Sequence, residues 1–165
     1  MNTPEAIERI VKEYHSMIKR IALSHESNPH LVEELVQEIY LAIWKALPTF
    51  RGEASLRTFV ARIATNRSVT HLAKNLNIPP SVELDEQIPA FSAGPESQAI
   101  ANDRKAALVF AIRSLPLPYR EAAMLALEGM TPREISDVLG ITTNAVSIRL
   151  SRAKDLLRKY LGENL

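Results

Sequence analysis

Apolar residues recur along this chain at three- and four-residue spacing, and nowhere do they alternate with polar ones for long. Ile7, Ile10, Val11, Tyr14, Ile18 and Ile21 mark one face of an amphipathic helix. A second helix is expected from about Leu31 to Leu47, with Leu35, Val36, Ile39, Ile43 and Leu47 facing inward and Pro48 closing it. A third starts near Ser55, a plausible N-cap, and carries Leu56, Phe59, Val60, Ile63 and Leu72. Farther on, the pattern predicts a helix from Ala106 to Leu115, ended by Leu115-Pro-Leu-Pro118. Another is predicted from Tyr119 to about Glu128, stopped by Gly129. Because strands need a period of two, the fold class expected is all-α.

The stretch Thr131–Leu150 is the most informative. Thr131 before Pro132 reads as an N-cap with proline at the first helical position, and Glu134 at the third completes a capping box. Ile135, Val138 and Leu139 give this short helix an apolar face, and Gly140 ends it, since a left-handed C′ position is open to glycine. Thr142 or Thr143 then caps a second helix running to about Leu161. Two helices joined by such a turn form a helix-turn-helix, whose second helix lies in the DNA major groove. Val146, Leu150, Ala153 and Leu157 follow the inward spacing of that helix. The opposite face carries Asn144, Ile148, Ser151 and Arg152, with Ser147 beside it. Arg suits bidentate bonds to guanine, while Ser and Ile suit hydroxyl and thymine-methyl contacts. An ordinary solvated basic helix is the competing reading, which the capping box and glycine turn disfavour.

Composition matters mainly through its distribution. The 165 residues carry a net charge of only +1, which looks unlike a nucleic-acid protein. Resolved along the chain, residues 1–77 are +2, residues 78–101 are −4 and residues 102–165 are +3. The middle segment holds Glu83, Asp85, Glu86 and Glu96 among Pro79, Pro80, Pro89, Gly94 and Pro95. It reads as a flexible acidic linker between two small helical domains, 1–77 and 102–165. Its charge is expected to hold the basic faces off DNA until a partner is bound. The absence of cysteine removes disulfides, thiolate metal sites and a thiol nucleophile, and makes a cytoplasmic location the easier expectation. No apolar run approaches the ~20 residues of a membrane span, and Glu5, Glu8, Arg9, Lys12 and Glu13 argue against a signal peptide.

The first domain separates its charges. Glu26, Glu33, Glu34 and Glu38 occur between Glu26 and Trp44 without a Lys or Arg, whereas Arg51, Arg57, Arg62, Arg67 and Lys74 face only Glu53. The acidic helix would repel DNA and suits a protein-docking face. The basic helix interleaves Phe50, Phe59, Asn66 and His71, a mixture suited to an opened strand. Mutual pairing of the two helices is the competing explanation.

Leu35-Val-Gln-Glu-Ile-Tyr-Leu-Ala-Ile-Trp-Lys-Ala-Leu47, Phe50-Arg-Gly-Glu-Ala-Ser-Leu-Arg-Thr-Phe59 and Arg62-Ile-Ala-Thr-Asn66 resemble the second conserved region of extracytoplasmic function (ECF) bacterial sigma factors. Leu115-Pro through Glu121 and the helix-turn-helix to Leu161 resemble the fourth region. The resemblance implies an alternative sigma factor that binds core RNA polymerase, through the β′ clamp coiled coil and the β subunit, and directs it to promoters. It assigns polymerase binding to Gln37 and Glu38, with Glu33 and Glu34 as supporting charge. It assigns the single-stranded minus-ten element to Arg51, Gly52, Glu53, Ala54, Ser55 and Asn66, with Arg62 and Arg67 on phosphates. A flipped base explains why a small loop serves there. The minus-thirty-five duplex falls to Ser147, Ile148, Ser151 and Arg152, flanked by Thr143 and Asn144, with Arg149 and Lys154 on the backbone. Leu31, Phe59 and Ser147 stand where the family often has Asp, Trp and a basic residue. The stretch after Asn66 is less basic than typical, so promoter binding without core polymerase is expected to be weak. Many members are held inactive by an anti-sigma protein, which leaves that control open here.

Other classes fit less well. A sigma-like mimic that only titrates a regulator would be expected to lose Arg51, Arg62, Arg67, Arg149 and Arg152. A conventional repressor would normally dimerise, and no dimerisation segment is evident. Neither a nucleophile–base pair nor a Gly-rich phosphate loop occurs, so no enzyme activity is expected. Only His30, near Glu33 and Glu34, has helical ligand spacing among the four histidines, so no metal or other cofactor is expected.

Overall fold

The structure, a computed structural model, describes residues 3–75 and 104–161, so the acidic segment 78–101 lies outside the described residues. The chain divides into two compact units, Met1–Pro79 and Pro80–Leu165. Helices and turns make up the described residues of both, without a strand, as the periodicity predicts.

The first unit packs α1 (Thr3–Leu23), α2 (Pro29–Ala46) and α3 (Leu56–Asn75) against one another, with a short 3-10 turn, Leu47–Thr49, after α2. Its core is the set Ile10, Ile18, Ile21, Leu35, Ile39, Ile43 and Leu72, each no more than 1 % exposed. From α3 come mostly small buried residues, Ala61, Ala64, Thr65 and Ser68, which let the backbones approach closely. Val11, expected on the inward face of α1, is 45 % exposed; Met17 and Ala22 take part in the core instead. Helix α2 starts two residues before the sequence pattern suggests, because Asn28 caps it, accepting from the His30 and Leu31 amides at 2.9 and 3.4 Å, with Pro29 at the first position. Ser55 caps α3, accepting from the Thr58 amide at 3.1 Å.

The second unit comprises α4 (Arg104–Arg113), α5 (Leu117–Leu127), α6 (Pro132–Leu139) and α7 (Thr143–Leu161). Helix α5 begins at Leu117, so Pro118 lies within its first turn rather than before it. A proline there forfeits no hydrogen bond, since the first amides of a helix have no intrahelical partner. Between α6 and α7 every expected device is present. The Thr131 hydroxyl accepts from the Glu134 amide at 3.2 Å while the Glu134 carboxylate accepts from the Thr131 amide at 3.0 Å. Gly140 sits at φ +68°, ψ +33°, and the Thr142 hydroxyl accepts from the Ala145 amide at 3.1 Å. The Ser136 hydroxyl donates to the Ile141 carbonyl across the turn. Inward on α7 lie Val146, Ala153 and Leu157, whereas Leu150 is only half-buried.

Charge enters this second core. Arg120 is fully buried and donates through Nε and Nη2 to the Leu115 carbonyl at 3.1 and 2.9 Å, clamping the α4–α5 corner. Burial lowers its guanidinium to about 10, so it remains a cation at neutral pH. Desolvation raises the neighbouring Glu121 carboxyl to about 7, against the downward pull of Arg149 and Arg120.

Two outcomes follow for stability. Nothing lies within 4 Å of a Cβ built on Gly140, so Gly140→Ala adds only backbone strain; urea unfolding should show a loss of about 1–2 kcal/mol, smaller for Gly140→Asn. Glu121 binds its proton more tightly folded than unfolded, so it contributes most below about 4.5 and its contribution falls as pH rises to about 7. Glu121→Gln should therefore gain on the wild type as pH rises from about 4.5 to 8, read from denaturant midpoints across that range; parallel profiles would contradict the assignment.

Candidate nucleic-acid and docking faces

On α2 the side opposite Leu35, Ile39 and Ile43 carries Glu33, Glu34, Gln37 and Glu38, all exposed. Between and beyond them lie Leu41 and Trp44, 56 % and 54 % exposed. The sequence reading missed both, although a turn of 100° per residue places them on the same side as Gln37. Exposed apolar side chains next to a row of carboxylates suit a protein interface. Beside it opens a cleft of about 300 Å³, lined by His15, Lys19, Val32, Glu33, Gln37 and Tyr40 among others. His15 Nδ1 and the Tyr40 hydroxyl are 2.7 Å apart, and their rings lie parallel at 6.0 Å. Burial pushes the Tyr40 phenol above its ordinary range. This pair fixes the wall of the cleft shared by α1 and α2.

Glu26, counted above with the acidic helix, lies before it and is consumed structurally. One carboxylate oxygen accepts from the Ser27 and Asn28 amides at 2.8 and 3.0 Å. The other meets His71 Nε2 at 2.8 Å and the Asn75 amide at 3.2 Å, tying the end of α3 to the α1–α2 turn. His71 is thereby taken from the set of rings expected to face a strand. Phe50 and Phe59 are half-buried and pack on each other, centroids 4.7 Å apart. The basic side of α3 keeps Asn66 and Arg67 exposed and Arg62 half-buried. Ahead of α3, Arg51, Gly52, Glu53 and Ser55 are exposed and Ala54 is half-buried. Gly52 turns the loop at φ +77°, a backbone conformation other residues rarely adopt. Ser55 Oγ also donates to Thr58 Oγ1 at 3.0 Å, so its hydroxyl serves the helix cap.

In the second unit, α7 exposes Thr143, Asn144, Ser147, Ile148, Ser151, Arg152 and Lys154, with Arg149 half-buried. Arg152 Nη1 donates to the Tyr119 hydroxyl at 3.1 Å, and Tyr119 itself is buried in α5. This bond restricts the rotamers open to the Arg152 guanidinium. Tyr119 is a residue that sequence reasoning did not find, because nothing in local spacing links it to Arg152. Among the described residues no group of three His, Asp or Glu is placed to hold a metal ion, and no helix is long and apolar enough to cross a membrane.

Comparison with known proteins agrees with this arrangement. Residues 10–77 match the Sigma-70 region 2 family and residues 105–157 match Sigma-70, region 4. The ECF RNA polymerase sigma factor SigE of Mycolicibacterium smegmatis is 25 % identical over 160 residues, covering 95 % of this chain and 62 % of its own length. The chain thus spans less than two thirds of that relative. Among solved structures, CnrH in complex with the cytosolic domain of CnrY superposes with a TM-score of 0.71 at 24 % identity, covering 98 % of this chain and 91 % of that one. The sigma factor RpoE of Bartonella quintana, in complex with the anti-sigma factor NepR, gives 0.67 at 19 %, covering 96 % and 99 %. These two likenesses establish the fold. With a region 2 unit followed by a region 4 unit and an ECF relative that aligns with 95 % of this chain, the chain belongs to the ECF group of RNA polymerase sigma factors.

Proposed function

We propose that this chain binds core RNA polymerase and directs promoter-specific initiation of transcription, acting in the cytoplasm by binding alone, without an enzyme activity of its own. One observation carries the reading: an exposed acidic and apolar face and two exposed basic and polar faces occur on separate helices of a chain with both sigma regions. In this reading residues 1–77 dock on polymerase and open the minus-ten element, residues 78–101 span between the units, and residues 102–165 read the minus-thirty-five duplex.

Glu33, Glu34, Gln37 and Glu38 would meet a basic partner surface, with Leu41 and Trp44 supplying apolar area next to them. The Arg51–Ser55 loop, turned at Gly52, would accept a flipped base, while Arg62, Asn66 and Arg67 follow the displaced strand. Thr143, Asn144, Ser147, Ile148, Ser151 and Arg152 would lie in the major groove, and Arg149 and Lys154 on its phosphates. The complexes of CnrH with CnrY and of RpoE with NepR support adding an anti-sigma protein as a further partner.

Transcription in vitro, with core polymerase and a promoter library, tests the whole reading: sequence-selective initiation should depend on this chain, and unselective or absent initiation would reject it. Glu38→Arg should weaken core binding at least about tenfold with an unchanged melting profile, because the side chain is exposed; undiminished affinity would remove α2 from the interface. Arg152→Ala should cost about 1–3 kcal/mol of discrimination at a single upstream position, measured by competition between variant duplexes. An unaltered preference there would take Arg152 off the base-reading face.

A further inference from the structure

Among the residues of α7 whose side chains are described, Ile148 is the large aliphatic one sent outward. It is 46 % exposed, while Val146 and Leu157 of the same helix lie in the core. Helical geometry puts Ile148 about 160° from Val146, so no adjustment of the helix would bury it with its neighbours. Asn144, Ile148 and Ser151 form a line at the centre of the outward face, at i, i+4 and i+7, with Ser147 on one side and Arg152 on the other. Every other member of that group is polar, and the two serines are short. Asp155 continues the line one turn later and is also exposed, lying 3.7 Å from Arg158.

One apolar side chain ringed by hydroxyl, amide and guanidinium groups is a poor docking patch for a protein, which needs contiguous apolar area. It matches the major groove, where the apolar feature on the base edges is the 5-methyl group of thymine. Flanking serines leave the branched side chain room to reach a base edge, and Arg152, tethered to Tyr119 at 3.1 Å, stands one turn away for a neighbouring base. We infer that Ile148 is a specificity-determining residue that reads thymine 5-methyl groups in the upstream promoter duplex. This rests on the proposed seating of α7 in the major groove.

The test uses the full chain bound to core polymerase. An upstream element is first selected from a randomised duplex, and each thymine in it is then replaced singly by deoxyuridine, which removes only the methyl group. Wild type should lose affinity about fourfold at one or two neighbouring positions, the effect of uncovering one methyl. Ile148→Ala should bind thymine and uracil duplexes alike there while keeping the salt dependence of binding, and Ile148→Val should retain part of the difference. If the wild type ignores every uracil, or Ile148→Ala remains as sensitive as the wild type, the inference is overturned while selective binding still supports the sigma reading. Absence of any selected upstream element would instead overturn the seating of α7 itself, and the inference with it.

Discussion

Three or four short helices can enclose only one shared core, so every helix in this chain commits one stripe to it and leaves the other to solvent. That division governs the rest of the structure. In the first unit, α2 buries Val32, Leu35, Ile39 and Ile43, which forces Glu33, Glu34, Gln37 and Glu38 outward together. In the second, burial of Val146 and Ala153 turns Asn144, Ile148 and Ser151 to solvent. The outward faces are complements of the core, and a shift of one residue in any buried stripe would rotate the matching face by about 100°.

The two units reach this division differently. The first relies on shape, with small α3 residues such as Ala61 and Ala64 admitting the larger isoleucines of α1 and α2. The second uses local backbone devices and a buried cation. Its capping box and left-handed Gly140 fix where α6 stops and at what angle α7 leaves. Arg120 holds the α4–α5 corner through the Leu115 carbonyl, where an aliphatic side chain would leave that acceptor bare. Its neighbour Glu121 is raised by desolvation against the opposing fields of Arg149 and Arg120.

Membership of the sigma group was legible because its motifs are local runs, each several residues long, on which periodicity and capping act directly. The same locality explains the errors. Val11 fits the helical period of α1 yet stays exposed, since period alone does not say how wide the stripe must be. Pro118 reads as a breaker but falls in the first turn of α5, where a proline is tolerated. Leu41 and Trp44 are apolar and so read as core by composition, although the helical turn places them on the side of Gln37. The packing of α1 and α3 against the opposite side of α2 leaves them outside.

By itself the sequence determined the helices, their caps, the glycine turn and the sorting of charge among helices, because each depends on residues within about four positions of one another. Tertiary structure alone decided which charged and aromatic groups remain available. Glu26 and His71 are 45 residues apart, Tyr119 and Arg152 are 33 apart, and His15 and Tyr40 are 25 apart, yet each pair is in hydrogen-bond contact. No periodicity encodes such partners. They meet because the cores fix the spacing of the helices, and a polar side chain brought near a partner by packing gains most by bonding to it.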